Sequence, residues 1–314
     1  MLLISFPAEG GRRVNILVTG GTGFVGGALV EHLIKSGHQV SLLSRRKGKD
    51  RRIRWFPLQD GRFPAESLEG VEIVVNLAGE NIGGSRWTEA AKRRILDSRV
   101  SLTSQLVSAC RKRREQCDNM PRLLINASAV GYYGTGEETI FTEEDGPGCG
   151  FLADVCRRWE AAAEEASPFG IRVIRLRLGV VLGPDGGMLA KMDRPFRFGL
   201  GGVVGSGRQW ISWVHRDDVL GVIDQAIEDE AMTGAYNLCS FNPVTMAELC
   251  HALAGRLGGR AWATVPAFAL RLAFGDMADE MLLSGQRVLP KRLSEAGYRF
   301  RHSRLEEALT AIYR

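Results

Sequence analysis

The 314-residue chain has little of what metal centres and disulfide frameworks are built from. Its six cysteines, at 110, 117, 149, 156, 239 and 250, form no C-x-x-C pair and show no ligand-like spacing with the five histidines. That pattern gives a metal site no support, and in a chain this long it implies reduced thiols and an intracellular, cytoplasmic setting. No apolar run approaches the ~18 residues that a membrane span needs. Leu2-Leu3-Ile4-Ser5-Phe6 lacks a preceding basic region, so residues 1–13 read as an extra strand or a tail rather than a secretion signal. Internal repeats and low-complexity tracts are missing as well. The formal charge of +5 is spread too thinly to argue for nucleic acid, and no basic motif interleaved with aromatics is present. Oligomer formation is compatible with all of this.

What is present centres on Val14-Asn15-Ile16-Leu17-Val18-Thr19-Gly20-Gly21-Thr22-Gly23-Phe24-Val25-Gly26. An apolar β-branched run leads into glycines at 20, 23 and 26. The segment Ala28-Leu29-Val30-Glu31-His32-Leu33-Ile34 then continues with helical periodicity. Strand, glycine turn and helix in that order let the backbone approach a pyrophosphate, with the first-turn N–H groups aimed at it. Three glycines alone would be a weak signal among 38, but the flanking context makes this a dinucleotide cradle.

Strand-like and helix-like segments alternate over the first 180 residues. Strands are expected at about 40–43, 53–56, 71–77, 122–128 and 171–177, with helices at about 88–113 and 151–167. Such alternation predicts an α/β, doubly wound parallel sheet of the Rossmann type, with right-handed crossovers and a ligand at the carboxyl ends of the strands. Residues 14–184 read as the dinucleotide-binding domain, with sheet elements continuing to about 240. Beyond Gly183-Pro184 the composition changes, and residues 185–314 read as a smaller, mostly helical substrate-side lobe. Its glycine-rich connection 199–207 leads to Trp210 and Trp213, either a wall over the strand ends or core anchors.

The end of the second strand bears on cofactor choice. An acid ~20 residues after the glycines would hold the ribose hydroxyls of NAD, whereas arginine suits the extra phosphate of NADP. Here the chain reads Ser44-Arg45-Arg46-Lys47, with no acid until Asp50. Arginine's planar fork grips phosphate in two places. A solvated basic loop is the plainer alternative, but the position favours NADP(H). Leu77, Ala78 and Gly79, after Asn76, would let a dinucleotide lie across the fourth strand's end.

Three spaced motifs then point to a family: Thr19 to Gly26, Asn76 to Gly79, and Arg177-Leu178-Gly179-Val180-Val181-Leu182-Gly183-Pro184. Together they resemble the extended short-chain dehydrogenase/reductases. Further segments are similar to an atypical, epimerase-family branch of that group: Arg86-Trp87, Ser98-Arg99, Ser128 to Gly134, Trp159-Glu160, Gly205 to Gln209 and Trp213-Val214-His215. The tail, Gly285 to Pro290 with Gly297-Tyr298, looks like that branch's separate C-terminal module, at about 262–312. The resemblance covers about residues 14–312. It implies a cofactor site at Gly20, Thr22, Gly23, Phe24, Val25, Gly26, Ser44, Arg45, Leu77, Ala78, Gly79, Arg99 and Val181. It also implies NADP(H)-dependent oxidoreductase or epimerase activity on a small substrate of unknown identity.

The same resemblance exposes a gap. In the wider superfamily a serine, a tyrosine and a lysine four residues beyond it carry the proton and hydride chemistry. Ser128 fits the serine. No tyrosine here has a lysine four residues later, and no lysine lies between Lys112 and Lys191. The helix where the pair belongs offers only Phe151/Val155 or Leu152/Cys156. Tyr132 and Tyr133, next to Ser128, are then candidate phenols, or packing over the nicotinamide pocket. Arg208, Gln209 and His215 are candidate substrate contacts, although for His215 the favoured reading is a structural contact that opens the helix beginning Arg216-Asp217-Asp218-Val219. A catalytically inactive NADP(H)-binding protein that regulates or recruits a partner is the competing class.

Overall fold

The computed structural model describes residues 12–58, 61–84, 86–116 and 120–314; the strand or tail expected at the extreme N-terminus lies almost wholly outside them. Seven parallel strands form one sheet: β1 (Asn15–Thr19), β2 (Gln39–Ser44), β3 (Ile53–Pro57), β4 (Ile73–Asn76), β5 (Leu123–Ala129), β6 (Arg172–Leu178) and β7 (Gly234–Leu238). Their spatial order is β7-β6-β5-β4-β1-β2-β3. The order reverses between β1 and β4, which is where an open α/β sheet leaves a crevice for ligand.

The period of two along β1 explains why both faces are covered. Ile16 and Val18 belong to one core with Leu29 and Leu33 of helix α1 (Phe24–Lys35). Leu17 points the other way, into a core with Leu106 and Val107 of the long helix α2 (Glu89–Gln116). Strands buried on both faces read as continuous apolar runs, and all four residues of β4 are buried. The Thr88 hydroxyl accepts the Ala91 amide and starts α2 as an N-cap. Helix α3 (Phe151–Glu164) ends three residues before the expected Ser167, because Pro168 turns the chain into a 3₁₀ segment, Ser167–Phe169.

The second lobe has a core of its own, with Leu189, Trp213, Leu249, Leu253 and Leu309. Helix α4 (Gly187–Arg197) opens it, and α5 (Arg216–Glu228) packs back on α1 beside the sheet. Short strand pairs accompany the helices expected there, such as Gly202–Val204 with Ala263–Val265. Gln286–Val288 pairs with Gly136–Phe141, so the C-terminal module is knitted into the first half of the chain.

Candidate functional site

Gly20 has φ +69°, and a side chain there would lie 2.7 Å from the Leu77 carbonyl carbon and oxygen. The glycine turn therefore lies directly on the strand-end backbone of Leu77 and Ala78, joining two segments that the sequence suggested separately. Gly26 closes the turn from the other side, where a Cβ would meet the Gly20 oxygen at 2.2 Å. Gly23 is the α1 N-cap without any side-chain cap, and the first turn carries no acid. Its unpaired amides leave the positive end of the helix open to an anion. The crevice beside the turn is thus shaped for a pyrophosphate.

At the end of β2 the Ser44 hydroxyl donates to the Arg46 carbonyl and shapes the basic loop. Arg45, Arg46 and Lys47 are exposed, and their side chains make no hydrogen bond or ion pair among the described residues. Asp50, the nearest acid along the chain, is held by Arg52, which also pairs with Glu31. Among the described residues no carboxylate therefore competes at the β2 end for a ribose, while three cations remain available. These residues fit a 2′-phosphate.

Beneath the crevice lies a polar network. The Thr19 hydroxyl donates to Asn76 Oδ1 at 2.5 Å and accepts the Ala78 amide at 3.2 Å. Asn76 Nδ2 donates to Asn126 at 2.6 Å and to Thr103 of α2 at 2.8 Å. The ladder ties β1, β4, β5 and α2 together directly under the switch point. Arg99, one turn before Thr103, is largely buried and lies against Gly79, with its guanidinium donating to the Ile95 and Glu80 carbonyls. Burial pushes its pKa down, with the nearby Glu80 opposing, and it makes no ion pair among the described residues. Arg94 pairs with Glu80, and Lys92 pairs with Asp276 of the C-terminal module.

Ser128 is 2% exposed, and its hydroxyl donates to Glu160 Oε1 at 2.7 Å. Glu160 also accepts Arg177 Nε at 2.8 Å and Nη2 at 2.9 Å, in a pair buried to about 5% exposure on both sides. Arg177 Nη1 donates to the Tyr133 hydroxyl at 2.8 Å, which in turn donates to Asn237 at 2.7 Å. Burial works against the guanidinium's charge, but the bonds to Glu160 outweigh it and raise its pKa. The Tyr133 phenol is pushed up to about 12 by burial, only partly offset by Arg177. Glu160 accepts all three bonds, so the Ser128 hydroxyl is the donor to it. The Tyr132 ring stacks on the Arg177 guanidinium at 3.5 Å, and its hydroxyl makes no hydrogen bond among the described residues.

The structure places the second-lobe candidates differently from one another. Val181 pairs with Val214 and stays half-buried. Arg208 is exposed. Gln209 is fully buried and its amide donates to the Val204 and Leu282 carbonyls, clamping the C-terminal module. Trp213 is a core residue, and Trp210 donates to Glu137. His215 is 3% exposed and caps α5, its Nδ1 accepting the Asp217 amide at 3.1 Å. Folding brings His215, Asp217 and His302 ligand atoms within 4.8 Å of one another, a grouping invisible in chain spacing. The Nδ1 lone pair is already taken by the cap, and Arg216 and Arg301 add positive charge around the ring.

Burial, then the neighbouring His302, hold the His215 pKa well below its ordinary 6.5, with Asp217 opposing. The folded ring stays neutral while the unfolded one takes up a proton, so this site loses stability as pH falls below about 6.5. His215→Asn keeps an acceptor for the Asp217 amide. Thermal melts from pH 7.5 to 4.5 should therefore show a shallower acid decline in the variant than in the parent; parallel declines would remove His215 as a contributor. Comparing the two chains cancels Asp218, whose carboxyl burial raises in both.

Sequence reasoning did not find Thr19, Asn126, Thr103, Glu160 or Arg177 as a set. Their signal was present: polar residues inside apolar strand runs must find partners when buried. It also did not find Glu280, whose carboxylate accepts the Phe151 and Leu152 amides at 3.0 and 3.1 Å across 129 and 128 residues of chain. That acid caps α3 where the expected tyrosine–lysine helix begins.

Comparison with known proteins agrees with this geometry. The profile of the NAD dependent epimerase/dehydratase family matches residues 16–239, and a domain of unknown function, DUF1731, matches residues 265–312. The chain is 40% identical to the epimerase family protein SDR39U1 homolog, chloroplastic, of Arabidopsis thaliana, over 99% of this chain and 90% of the relative. It is 38% identical to epimerase family protein YfhF of Bacillus subtilis, over 95% and 98% respectively. Among solved structures, human epimerase family protein SDR39U1 (isoform 2) with NADPH superposes with a TM-score of 0.85 at 33% identity, covering 95% of this chain and 99% of that one. MoeE5 in complex with UDP-glucuronic acid and NAD shares the fold, with a TM-score of 0.78 at 22% identity over 95% and 97%. The doubly wound sheet, the glycine cradle and these matches make the chain a member of the NAD dependent epimerase/dehydratase family.

Proposed function

We propose that the chain binds NADP(H) and works as an oxidoreductase or epimerase on a small substrate, without the tyrosine–lysine pair of its wider superfamily. The observation that carries the cofactor choice is the group of three cations at the end of β2, which among the described residues have no ion-pair partner and face no free carboxylate. The human relative solved with NADPH supports the same choice. When bound, the nicotinamide supplies or takes a hydride. The chain's residues hold it: Gly20 to Gly26 at the pyrophosphate, Ser44 and Arg45 at the 2′-phosphate, Leu77 to Gly79 and Val181 along its length. Arg99 is a largely buried cation that makes no ion pair among the described residues, with Glu80 only partly offsetting the cost of burial, and an anionic ligand in the crevice would relieve that cost.

Arg45→Ala tests the cofactor reading. Charge-assisted bonds contribute roughly 1.5–3 kcal/mol, so NADPH affinity should fall about 10- to 100-fold in a fluorescence titration while NADH affinity stays put. Equal losses for both nucleotides, or none, would sink the 2′-phosphate role.

For the chemistry, Tyr132 is our candidate acid/base, four residues after Ser128 in the chain, with its ring stacked on the Arg177 guanidinium and no hydrogen bond to its phenol among the described residues. Tyr132→Phe should then abolish NADPH oxidation against whichever carbonyl or nucleotide-sugar substrate a panel reveals, with NADPH binding intact. The second reading is a binding protein without turnover. One observation favours it: Ser128 and Tyr133 both have their hydroxyl protons committed to buried acceptors. A panel without turnover on protein that binds NADPH would support it.

A further inference from the structure

Arg216 belongs to neither the sequence-derived site nor the helix cap beside it. It is the first residue of α5, in the second lobe, yet its guanidinium carbon lies 5.1 Å over the ring of Phe24, the first residue of α1. Gly183 makes this stacking possible: a Cβ there would lie 3.1 Å from both the Phe24 ring and Arg216 Cβ, and 3.4 Å from Arg216 Nε. Gly186 clears the other edge of the ring, where a Cβ would approach Phe24 to 2.1 Å. Two glycines therefore keep an aromatic ring and a guanidinium stacked across the lobe boundary.

The guanidinium's charge has no counter-charge. Nη1 donates to the Pro184 carbonyl at 3.2 Å, and Nε is buried with no partner. No acid lies within ion-pair distance among the described residues. Asp217 leans on His215, and Asp218 accepts the Arg301 and His302 amides and the Tyr298 hydroxyl. The element facing Arg216 is the uncapped, acid-free start of α1, itself positive. Two positive groups held against each other with no anion between them are electrostatically unfavourable. A diphosphate between them satisfies both.

We propose that Arg216 is the second lobe's ligand to the diphosphate of the dinucleotide, which is held from one side by the α1 amides and from the other by this guanidinium. This rests on the NADP(H) reading and extends it from the sheet domain to the second lobe. Arginine's flat fork suits two diphosphate oxygens at once, with Phe24 holding its plane.

The test is a titration of Arg216→Gln and Arg216→Lys with NADPH and with NADH, followed by fluorescence, beside Arg45→Ala. Both nucleotides carry the diphosphate, so Arg216→Gln should weaken both by about 10- to 100-fold. Arg216→Lys should recover part of the loss, and the salt dependence of binding should become shallower in Arg216→Gln. UDP competition separates a substrate diphosphate from the cofactor's: UDP affinity falling in place of dinucleotide affinity overturns the proposal. So does unchanged affinity for both dinucleotides, or a loss confined to NADPH. If the glutamine variant melts early, the lysine variant carries the test, since it keeps charge and stem. Failure of the parent to bind any dinucleotide would instead overturn the cofactor reading itself.

Discussion

Glu160→Ala is expected to lower the free energy of unfolding by about 3–5 kcal/mol, the range for removing one member of a buried ion pair. The carboxylate accepts three hydrogen bonds, two from Arg177 and one from Ser128, at a place where both charged partners are about 5% exposed or less. Truncation leaves the Arg177 charge in the core with the Tyr133 hydroxyl and the Tyr132 ring but no carboxylate, and leaves the Ser128 proton without an acceptor. The penalty is one of desolvation, so replacing both partners by apolar residues of similar volume, Glu160→Leu with Arg177→Met, should be markedly milder than the single truncation. Urea titrations of the two variants give the comparison. A loss under about 1 kcal/mol for Glu160→Ala would mean that water reaches the pair. The alteration should also be felt at the crevice, because Arg177 carries the Tyr132 ring on its face. On the proposed oxidoreductase reading, NADPH oxidation would then suffer in any variant stable enough to assay.

The sheet was legible because its information is local. Alternation along β1 sends Ile16 and Val18 to one core and Leu17 to the other, and that pattern can be read from the residues in order. The glycine turn was legible for a similar reason, since strand, glycines and helix are contiguous. The floor of the crevice was not. Ser128 meets Glu160 across 32 residues, Glu160 meets Arg177 across 17, and Tyr133 meets Asn237 across 104. Nothing in the intervening chain specifies those distances; the strand order β7-β6-β5 does. Gln209 and His215 show the converse. Their residue types suggest work on a substrate, and folding buries them: Gln209 Nε2 clamps Val204 and Leu282 and His215 Nδ1 caps α5, while Gln209 Oε1 and His215 Nε2 have no hydrogen-bond partner among the described residues. A side chain's chemistry is readable in sequence, while the partner that uses it is a property of the topology.

Gly26→Ala should abolish most dinucleotide binding, while the same change one residue on should not. Alanine normally stabilises a helix relative to glycine by roughly 0.5–1 kcal/mol. At Gly27 that rule should hold, since a Cβ there has nothing nearer than the Gly21 oxygen at 3.8 Å. At Gly26 the Cβ would meet the Gly20 oxygen at 2.2 Å, Gly21 Cα at 2.8 Å and the Gly20 carbonyl carbon at 2.9 Å, all of them backbone. No side chain can swing aside, so α1 must retreat from the turn by about the ångström that separates those distances from ordinary contact. The expected stability loss is about 1–3 kcal/mol, as for other overpacked sites. The functional loss is larger, because that retreat carries the α1 amides away from where they meet a diphosphate. Displacements of ~1 Å routinely cost 10²-fold in sites that depend on positioning. NADPH affinity should therefore drop about 100-fold in Gly26→Ala and stay at the parent value in Gly27→Ala, with thermal melts moving in opposite directions. Parent-like NADPH binding by Gly26→Ala would show that the α1 N-terminus is not the diphosphate seat, and the Arg216 proposal would fall with it.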